Sequence, residues 1–467
     1  MPCHRSHMDY LLLSYLLFSE GLVPPHVAAG VNLNFFPAGG IFRRSGAFFL
    51  RRSFKDNPLY GKVFKAYFAM LFKQGYPIEF FTEGGRSRTG RLLPAKTGLL
   101  AMSMRTFLDQ PERNVMIVPV YIGYDHIMEV STYMKELSGQ KKEKESAWQV
   151  LGIVKKLRNF GRAFVNFGEP INIKKYLELH QPQWKEQSLT EAQLVNQVNH
   201  LANNVLQGIN NVTAVNALPL CAAILLASEN YQLGKQRILT LLTLHQSLLV
   251  GISADSGVTY PKGDPEVIYQ QALAMNKFSE SNHVVSCDYK QSTHLTYYRN
   301  TVVHVFALPS LVSYAILTLM KDSPKIKFDQ LIELVDDLYV FVEAEYFLTP
   351  SNIPLSDRVT AQLLALQSNE LIRFDGELIE SIEVSCLQVL SAHLSETRLR
   401  YQSILTLLLA KPALSNEALL TASKEMLIES SLEPFDEKVI NVFIKQLDRE
   451  TLSLSKTERL LGRLSTK

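Results

Sequence analysis

The eleven residues Asn114–Tyr124, NVMIVPVYIGY, constrain this chain more than any other stretch. After Asn114 the run is almost continuously apolar, the pattern of a strand covered on both faces rather than on one. Such a strand needs helices on either side, and the neighbouring sequence offers them. Leu59–Gln74 has Leu59, Val63, Tyr67 and Met70-Leu71 at helical spacing, a stripe read as core, and Gly75 closes it. Pro94–Phe107 is a second helix, beginning near KTG, with Leu99, Leu100 and Met104 apolar. Between them Ile78–Phe81 is a buried strand, and AFVNFGEPI, Ala163–Ile171, is a further one after a charged stretch, SGQKKEKESA, and a helix to about Phe160. Alternating strands and helices specify an α/β core. Pro119 interrupts the defining strand and marks an edge or bulge, because proline cannot donate to a ladder.

Around this core the organisation is uneven. Gly21–Arg52 reads as turn, strand, loop and strand, with PAGG (Pro37–Gly40) as a turn signal and GAFFLRR (Gly46–Arg52) as a compact strand. HQPQW breaks the alternation, so residues 1–173 form one domain and 174–190 a linker. Residues 191–467 are almost wholly helical, with loops such as SADSGVTYPKGD and FLTPSNIPLS; no catalytic motif lies there, and His283, His294 and His304 read as ordinary surface or core residues. Thr301–Met320 lacks Asp, Glu, Lys and Arg and is about long enough to span a bilayer, but Pro309, His304 and its hydroxyl residues favour a buried or interfacial helix.

Composition excludes several classes. The four cysteines, Cys3, Cys221, Cys287 and Cys386, are scattered without a C-x-x-C pair, which argues against a disulfide scaffold or zinc ribbon and fits a reducing compartment. Residues 1–105 hold fourteen Lys plus Arg against five Asp plus Glu, a net of +9; the whole chain is +3, so the rest is −6. The excess is arginine set in motifs, Arg43-Arg44, Arg51-Arg52 and Arg86-x-Arg88-x-x-Arg91, rather than lysine-rich runs. Guanidinium groups bind phosphate oxygens bidentately, which points to a small phosphorylated ligand and away from nucleic acid.

The reactive groups are concentrated in HRSHMD, His4–Asp9, directly before the apolar run LLLSYLLF. Residues five apart do not share a helix face. His4 and Asp9 therefore meet only if His4 lies in the connection and Asp9 in the first turn of a helix running to about Ser19. There the Asp9 carboxylate would take the Nδ1 proton of His4 and leave Nε2 as a free base able to deprotonate a hydroxyl. Two other readings fit the same residues: a structural histidine with a capping Asp, and a metal site of His4, His7 and Asp9. A metal-dependent phosphohydrolase, or an inactive membrane- or partner-binding fragment, would follow from those. The second cluster is EGGRSRTG, Glu83–Gly90, where Gly84 and Gly85 allow backbone N–H groups close to a ligand and Arg86, Ser87 and Arg88 add side-chain donors. It is not a Walker loop, since G-x-x-x-x-G-K-[ST] is absent.

Four blocks in order, HRSHMD, GAFFLRR, FFTEGGRSRTG and VPVYIGY, resemble those of the glycerolipid acyltransferases, and the string from PCHRSHMD to GAFFLRR is similar to the bacterial membrane-associated glycerol-3-phosphate acyltransferases. The resemblance implies an acyltransferase-type mixed sheet with surrounding helices, followed by a mostly α-helical carboxy-terminal region. It implies 1-O-acylation of glycerol 3-phosphate from acyl-CoA or acyl carrier protein, giving lysophosphatidate, the first step of phospholipid synthesis. By residue match His4, Asp9, Glu83 and Gly84 would be catalytic, and Phe49, Arg51, Arg52, Arg86, Ser87, Arg88 and Pro119 would line the substrate site. Arg52 would be the principal phosphate ligand, Gly84 and nearby amides would stabilise the oxyanion, and no metal or other cofactor is called for. The resemblance places the protein peripherally on the cytoplasmic face of the inner membrane, against the phospholipid surface. Only Met1, Pro2 and Cys3 precede His4, against a mean strand of roughly five to six residues. The chain therefore reads as the carboxy-terminal part of a longer enzyme or a truncated gene product lacking its upstream strand.

Overall fold

The computed structural model describes residues 1–51, 57–137, 161–431, 433, 435–447 and 452–464. Arg52, the SGQKKEKESA stretch and the helix expected up to Phe160 lie outside the described residues. The described residues of Met1–Ser87, Pro94–Met128 and Lys141–Val212 form one compact unit; those of Arg88–Leu93, Glu129–Gln140 and Thr213–Lys467 form another.

In the first unit, α1 (Asp9–Ser19) leads to β1 (His26–Gly30), α2 (Ala38–Arg44), β2 (Phe48–Leu50), α3 (Pro58–Gln74), β3 (Ile78–Glu79) and α4 (Gly98–Asp109). The defining apolar run is split at Pro119 into β4 (Met116–Ile117) and β5 (Val120–Tyr124). After α5 (Val130–Leu137), which belongs to the second unit, come β6 (Ala163–Phe167), β7 (Ile171–Asn172), α6 (Ile173–His180) and α7 (Glu191–Asn210). Strands β2, β1 and β3 form a parallel sheet in that order, with Gly30 opposite Leu50 and Val27 opposite Glu79. β5 pairs antiparallel with β6 and β4 with β7. The residues ahead of His4 also pair: Cys3 N–H donates to the Val120 carbonyl (3.0 Å), Val120 N–H to that of Met1 (3.1 Å), and Pro2 bridges Val120 in parallel. A cavity of about 520 Å³ lies between Ile78–Phe80 on one side and Met116–Val120 on the other, floored by Leu13, Leu17 and Phe72. Glu79 opens onto it with both carboxylate oxygens buried and unpartnered, and burial pushes its carboxyl up to about 8.

Two local expectations are corrected. PAGG is not a free turn: the turn is Phe36-Pro37, and Ala38–Gly40 already belong to α2. The stripe on α3 is rotated. Phe64, Phe68 and Leu71 are the buried residues, packed with Phe48, whereas Leu59, Val63 and Met70 are exposed; of the expected stripe, Tyr67 and Leu71 alone join that cluster. Residues 64, 68 and 71 also fall at helical spacing, and their aromatic bulk meets Phe48 with ring centroids 6.1 Å apart at Phe64. Asn57 caps this helix by accepting from Tyr60 N–H, and Gly75 ends it at φ +78°.

The second unit is largely helical. Every residue from Ala217 to Leu225 is buried, as are Pro309 to Ile316 in the helix Ala307–Leu319. Thr301–Met320 is therefore core rather than a straight span; the helix Tyr289–Asn300 and the segment Val303–Leu319 meet at a 70° bend. Lys235–Ala254, which the sequence reading did not single out, is long and apolar enough to cross a membrane, at mean hydropathy 1.3, yet Ile238, Leu241, Leu242 and Leu248 on it are buried. His304 Nε2 meets the Thr213 hydroxyl at 2.9 Å, a structural contact.

The rotated stripe gives a direct check. Phe68→Ala should destabilise the protein by about 3–5 kcal/mol, and Leu59→Ala by less than about 0.5 kcal/mol. Urea unfolding measures both; equal effects would return the core face to Leu59.

Candidate active site

The site is assembled on the carboxyl edge of the parallel strands. Because β1, β2 and β3 run the same way, their carboxyl ends share one edge, where Arg51 follows β2 and the Phe80–Ser87 segment follows β3. Strands lie about 4.8 Å apart, so β2 and β3, with β1 between them, are roughly 10 Å apart, a gap suited to a small ligand. Arg51 is exposed there, its guanidinium 4.9 Å from the Tyr60 ring centre. Phe49 is partly buried under Arg43, whose guanidinium lies 5.5 Å from the ring centre.

His4 and Asp9 meet as their spacing requires. The helix begins at Asp9, His4 lies in the connection, and His4 Nδ1 is 2.8 Å from Asp9 Oδ2. The same oxygen accepts from the N–H groups of Arg5 (2.7 Å) and Ser6 (3.0 Å), while Oδ1 accepts from the Tyr124 hydroxyl (2.6 Å). Asp9 is an acceptor throughout, so Nδ1 of His4 holds the ring proton and Nε2 is the basic atom. The ring stacks on Phe81 at 3.8 Å between centroids, with 18° between planes. Burial pushes the His4 imidazolium below its ordinary range against the opposing pull of Asp9, and Arg86 and His7 lower it further. A neutral imidazole with a free Nε2 is the form that can accept a proton.

The glycine loop clamps His4 by its backbone. His4 N–H donates to Glu83 Oε1 (2.8 Å), and Ser87 N–H donates to the His4 carbonyl (2.8 Å). Glu83 and Ser87 are each 1% exposed, and both hold His4 by its backbone. Gly84 is exposed at φ +61°, and a Cβ there would fall 2.5 Å from Cδ of Lys96. Its N–H donates to the Phe81 carbonyl (3.1 Å). Arg86 is partly buried, within electrostatic reach of His4. Arg88 donates from Nε to Glu136 (2.8 Å). Pro119 packs against Gly168 and Gly208, and its carbonyl accepts from Gly168 N–H (2.8 Å). Among the described residues no group of three or more His, Cys, Asp or Glu side chains is placed to hold a metal ion.

Three neighbours were not singled out by sequence reasoning. Tyr124 ends the VPVYIGY block, and a tyrosine closing a buried strand was the available signal. Phe81 sits in the quoted FFTEGG block, yet nothing in its spacing betrays a stacking role. Arg5 is buried with its guanidinium 4.7 Å from the Tyr121 ring centre and Nη1 3.3 Å from the Tyr121 hydroxyl. Cys3 is packed against Ile122, and burial pushes its thiol up to about 12, so it is no nucleophile.

Comparison with known proteins accords with this arrangement. Residues 1–123 match the family model described as Acyltransferase, and residues 133–454 that described as Glycerol-3-phosphate acyltransferase C-terminal region. A protein of Aeromonas hydrophila named glycerol-3-phosphate acyltransferase is 44% identical, over 96% of this chain and 57% of its own length. Proteins of the same name from Shewanella sp. strain W3-18-1 and Shewanella putrefaciens are 44% identical over 90% of this chain and 52% of theirs. The chain thus spans about half the length of the curated relatives it matches. With an acyltransferase match over the His4–Asp9 site and the carboxy-terminal match over most of the remainder, the chain belongs to the glycerol-3-phosphate acyltransferase family.

Proposed function

We propose that this chain holds the reaction centre of a glycerol-3-phosphate 1-O-acyltransferase that draws its acyl group from acyl-CoA or acyl carrier protein. The observation that supports it best is the His4–Asp9 bond at 2.8 Å, which leaves Nε2 as the basic atom of the ring. His4 Nε2 removes the proton of the sn-1 hydroxyl as that oxygen attacks the thioester carbonyl. The tetrahedral intermediate collapses with cleavage of the C–S bond, and the proton on His4 passes to the departing thiolate. The products are 1-acyl-glycerol 3-phosphate and the free thiol. Asp9 holds the imidazole in the required tautomer and stabilises the imidazolium formed in passing. Arg51 and Arg86 hold the phosphate, with Arg52 assigned beside them on the family match alone. Every step runs on residues of this chain with no metal or cofactor.

The same reading includes peripheral attachment to the cytoplasmic face of the inner membrane. Its support is a set of exposed apolar residues on α1 and just before α2, with Phe36 95% exposed and Tyr15 and Phe18 each 70%, and the exposed arginines Arg43 and Arg44 at the end of α2. Apolar side chains interspersed with arginine suit an anionic lipid surface.

His4→Ala should lower kcat by about 10²- to 10⁴-fold with the KM for glycerol 3-phosphate little changed, measured as thioester-dependent acylation of labelled glycerol 3-phosphate. Unchanged turnover would remove His4 as the base. Activity requires neutral His4, and burial lowers its pKa. The acid limb of kcat/KM should therefore have its midpoint below the unperturbed value of about 6.5; a midpoint above it would contradict the buried site. Arg86→Ala should raise the KM for glycerol 3-phosphate roughly tenfold and leave that for the acyl donor alone. A shift confined to the donor would place the phosphate elsewhere.

A further inference from the structure

Helix α3 carries two apolar stripes, and the fold of the first unit uses one of them. Phe64, Phe68 and Leu71 pack with Phe48 of β2, while Leu59, Val63, Ala66 and Met70 lie on the outward side of the same helix, all exposed. Leu59 is 71% exposed and Val63 59%, so this second stripe adds little to the folded state. Its intervals of four, three and four residues are those of the seam along which one helix packs on another. A single exposed leucine needs no explanation, but four apolar positions in heptad register on one helix do.

Charge narrows the choice of occupant. Lys62 and Lys73 border the stripe and Lys65 lies on the same flank, all three exposed and in no ion pair among the described residues, and α3 has no Asp or Glu. An antiparallel second copy would set lysine against lysine, which disfavours self-association. A bilayer fits poorly as well. The stripe holds no Trp, Tyr or Phe, the residues suited to the lipid interface, and it includes Ala66, which lets a partner helix approach closely but adds little to insertion. The occupant that matches both the spacing and the charge is an amphipathic helix with carboxylates beside its apolar face.

Position links the stripe to the reaction. β2 ends at the carboxyl edge and α3 sets out from that edge, where the Tyr60 hydroxyl accepts from Arg51 N–H (3.2 Å). Leu59, beside Tyr60, is therefore the end of the stripe nearest the proposed substrates, and Met70 is roughly 17 Å further along the helix.

We infer that the outward stripe of α3 is the docking surface for acyl carrier protein, an acidic helical protein that bears its thioester on a flexible arm; an apolar helix face sits on Leu59, Val63, Ala66 and Met70, and carboxylates meet Lys62 and Lys73. The inference rests on the proposed acyl transfer and names the part of this chain that meets one of its two donors. The contact is small, as suits a carrier that must leave after each turnover. Acyl-CoA has no helix to offer and makes no use of the stripe.

The test compares the two donors on one set of variants of the full chain. Val63→Glu should raise the KM for acyl carrier protein about tenfold, with kcat, the KM for acyl-CoA and the unfolding temperature unchanged. Lys62→Glu combined with Lys73→Glu should do the same and flatten the salt dependence of the carrier KM. Fluorescence anisotropy of labelled carrier protein reads the docking without turnover, and each variant should weaken it by a similar factor. Equal KM changes for both donors, or none for the carrier, would overturn the inference, as would a wild-type chain that neither uses nor binds the carrier. So would unchanged carrier affinity in Val63→Glu together with lost sedimentation on phosphatidylglycerol vesicles, which makes the stripe a lipid contact, or with a lower mass in analytical ultracentrifugation, which makes it a subunit interface. If Val63→Glu does not fold, the lysine pair, on exposed positions, carries the test. Turnover absent from the wild-type chain with both donors rejects the acyl-transfer reading, while the anisotropy separately decides the docking.

Discussion

The Asp9 carboxylate is the point on which the first unit's chemistry depends. A carboxylate removed from water is tolerated only when its lone pairs are taken up. Asp9 is fully buried, and four donors reach it: the His4 ring, the N–H groups of Arg5 and Ser6, and the Tyr124 hydroxyl. Three come from the turn before α1 and one from the carboxyl end of β5. One side chain therefore shapes the turn, opens the helix, joins the helix to the sheet and sets the tautomer of His4. The burial that makes Asp9 depend on its partners also makes it rigid, and rigidity keeps Nε2 aimed in one direction.

A second constraint comes from the clamp on His4's own peptide groups. With N–H bound by Glu83 and the carbonyl bound by Ser87, His4 is held along its backbone as well as at its ring. The role of the E-G-G loop follows from this. The buried Oε1 of Glu83 accepts the His4 N–H and so registers the loop against the turn that carries His4. Gly84 supplies the positive φ that lets the chain leave that bond and expose itself at the edge, where only a residue without Cβ avoids the Lys96 stem. The loop thus gives the Arg86 backbone a defined origin next to His4.

Much of this arrangement was legible in the sequence, and the reasons differ from residue to residue. The five-residue interval between His4 and Asp9 excludes a shared helix face, and a helix beginning at Asp9 is what remains; the structure has Asp9–Ser19. Gly75 is legible because a helix pattern ending in glycine has a local mechanism. The face of α3 was not, since apolar positions recur on two neighbouring stripes and only the partner, Phe48, decides between Leu59-Val63 and Phe64-Phe68. Tyr124 escaped for a related reason: its bond to Asp9 joins residues 115 apart, and long-range pairing leaves no spacing signal. Arg91 looked like one more phosphate ligand in an arginine-rich motif. Nothing local distinguishes it from Arg86, and it is the distant Glu345 and Glu433 that draw it into the second unit.

Folding lowers the pKa of a group in each of two buried clusters, with opposite consequences for charge. Burial alone would raise the Glu433 carboxyl, but Arg91, Arg400 and Arg299 hold it well below the usual carboxylate range. A carboxylate depressed by folding contributes stability above its unfolded pKa, about 4.3, and loses that contribution only as pH falls below it. The guanidinium partners stay charged throughout. His4 works in the opposite sense: burial lowers its pKa, so it is neutral across the neutral range and gains its proton only on the acid side of about 6.5.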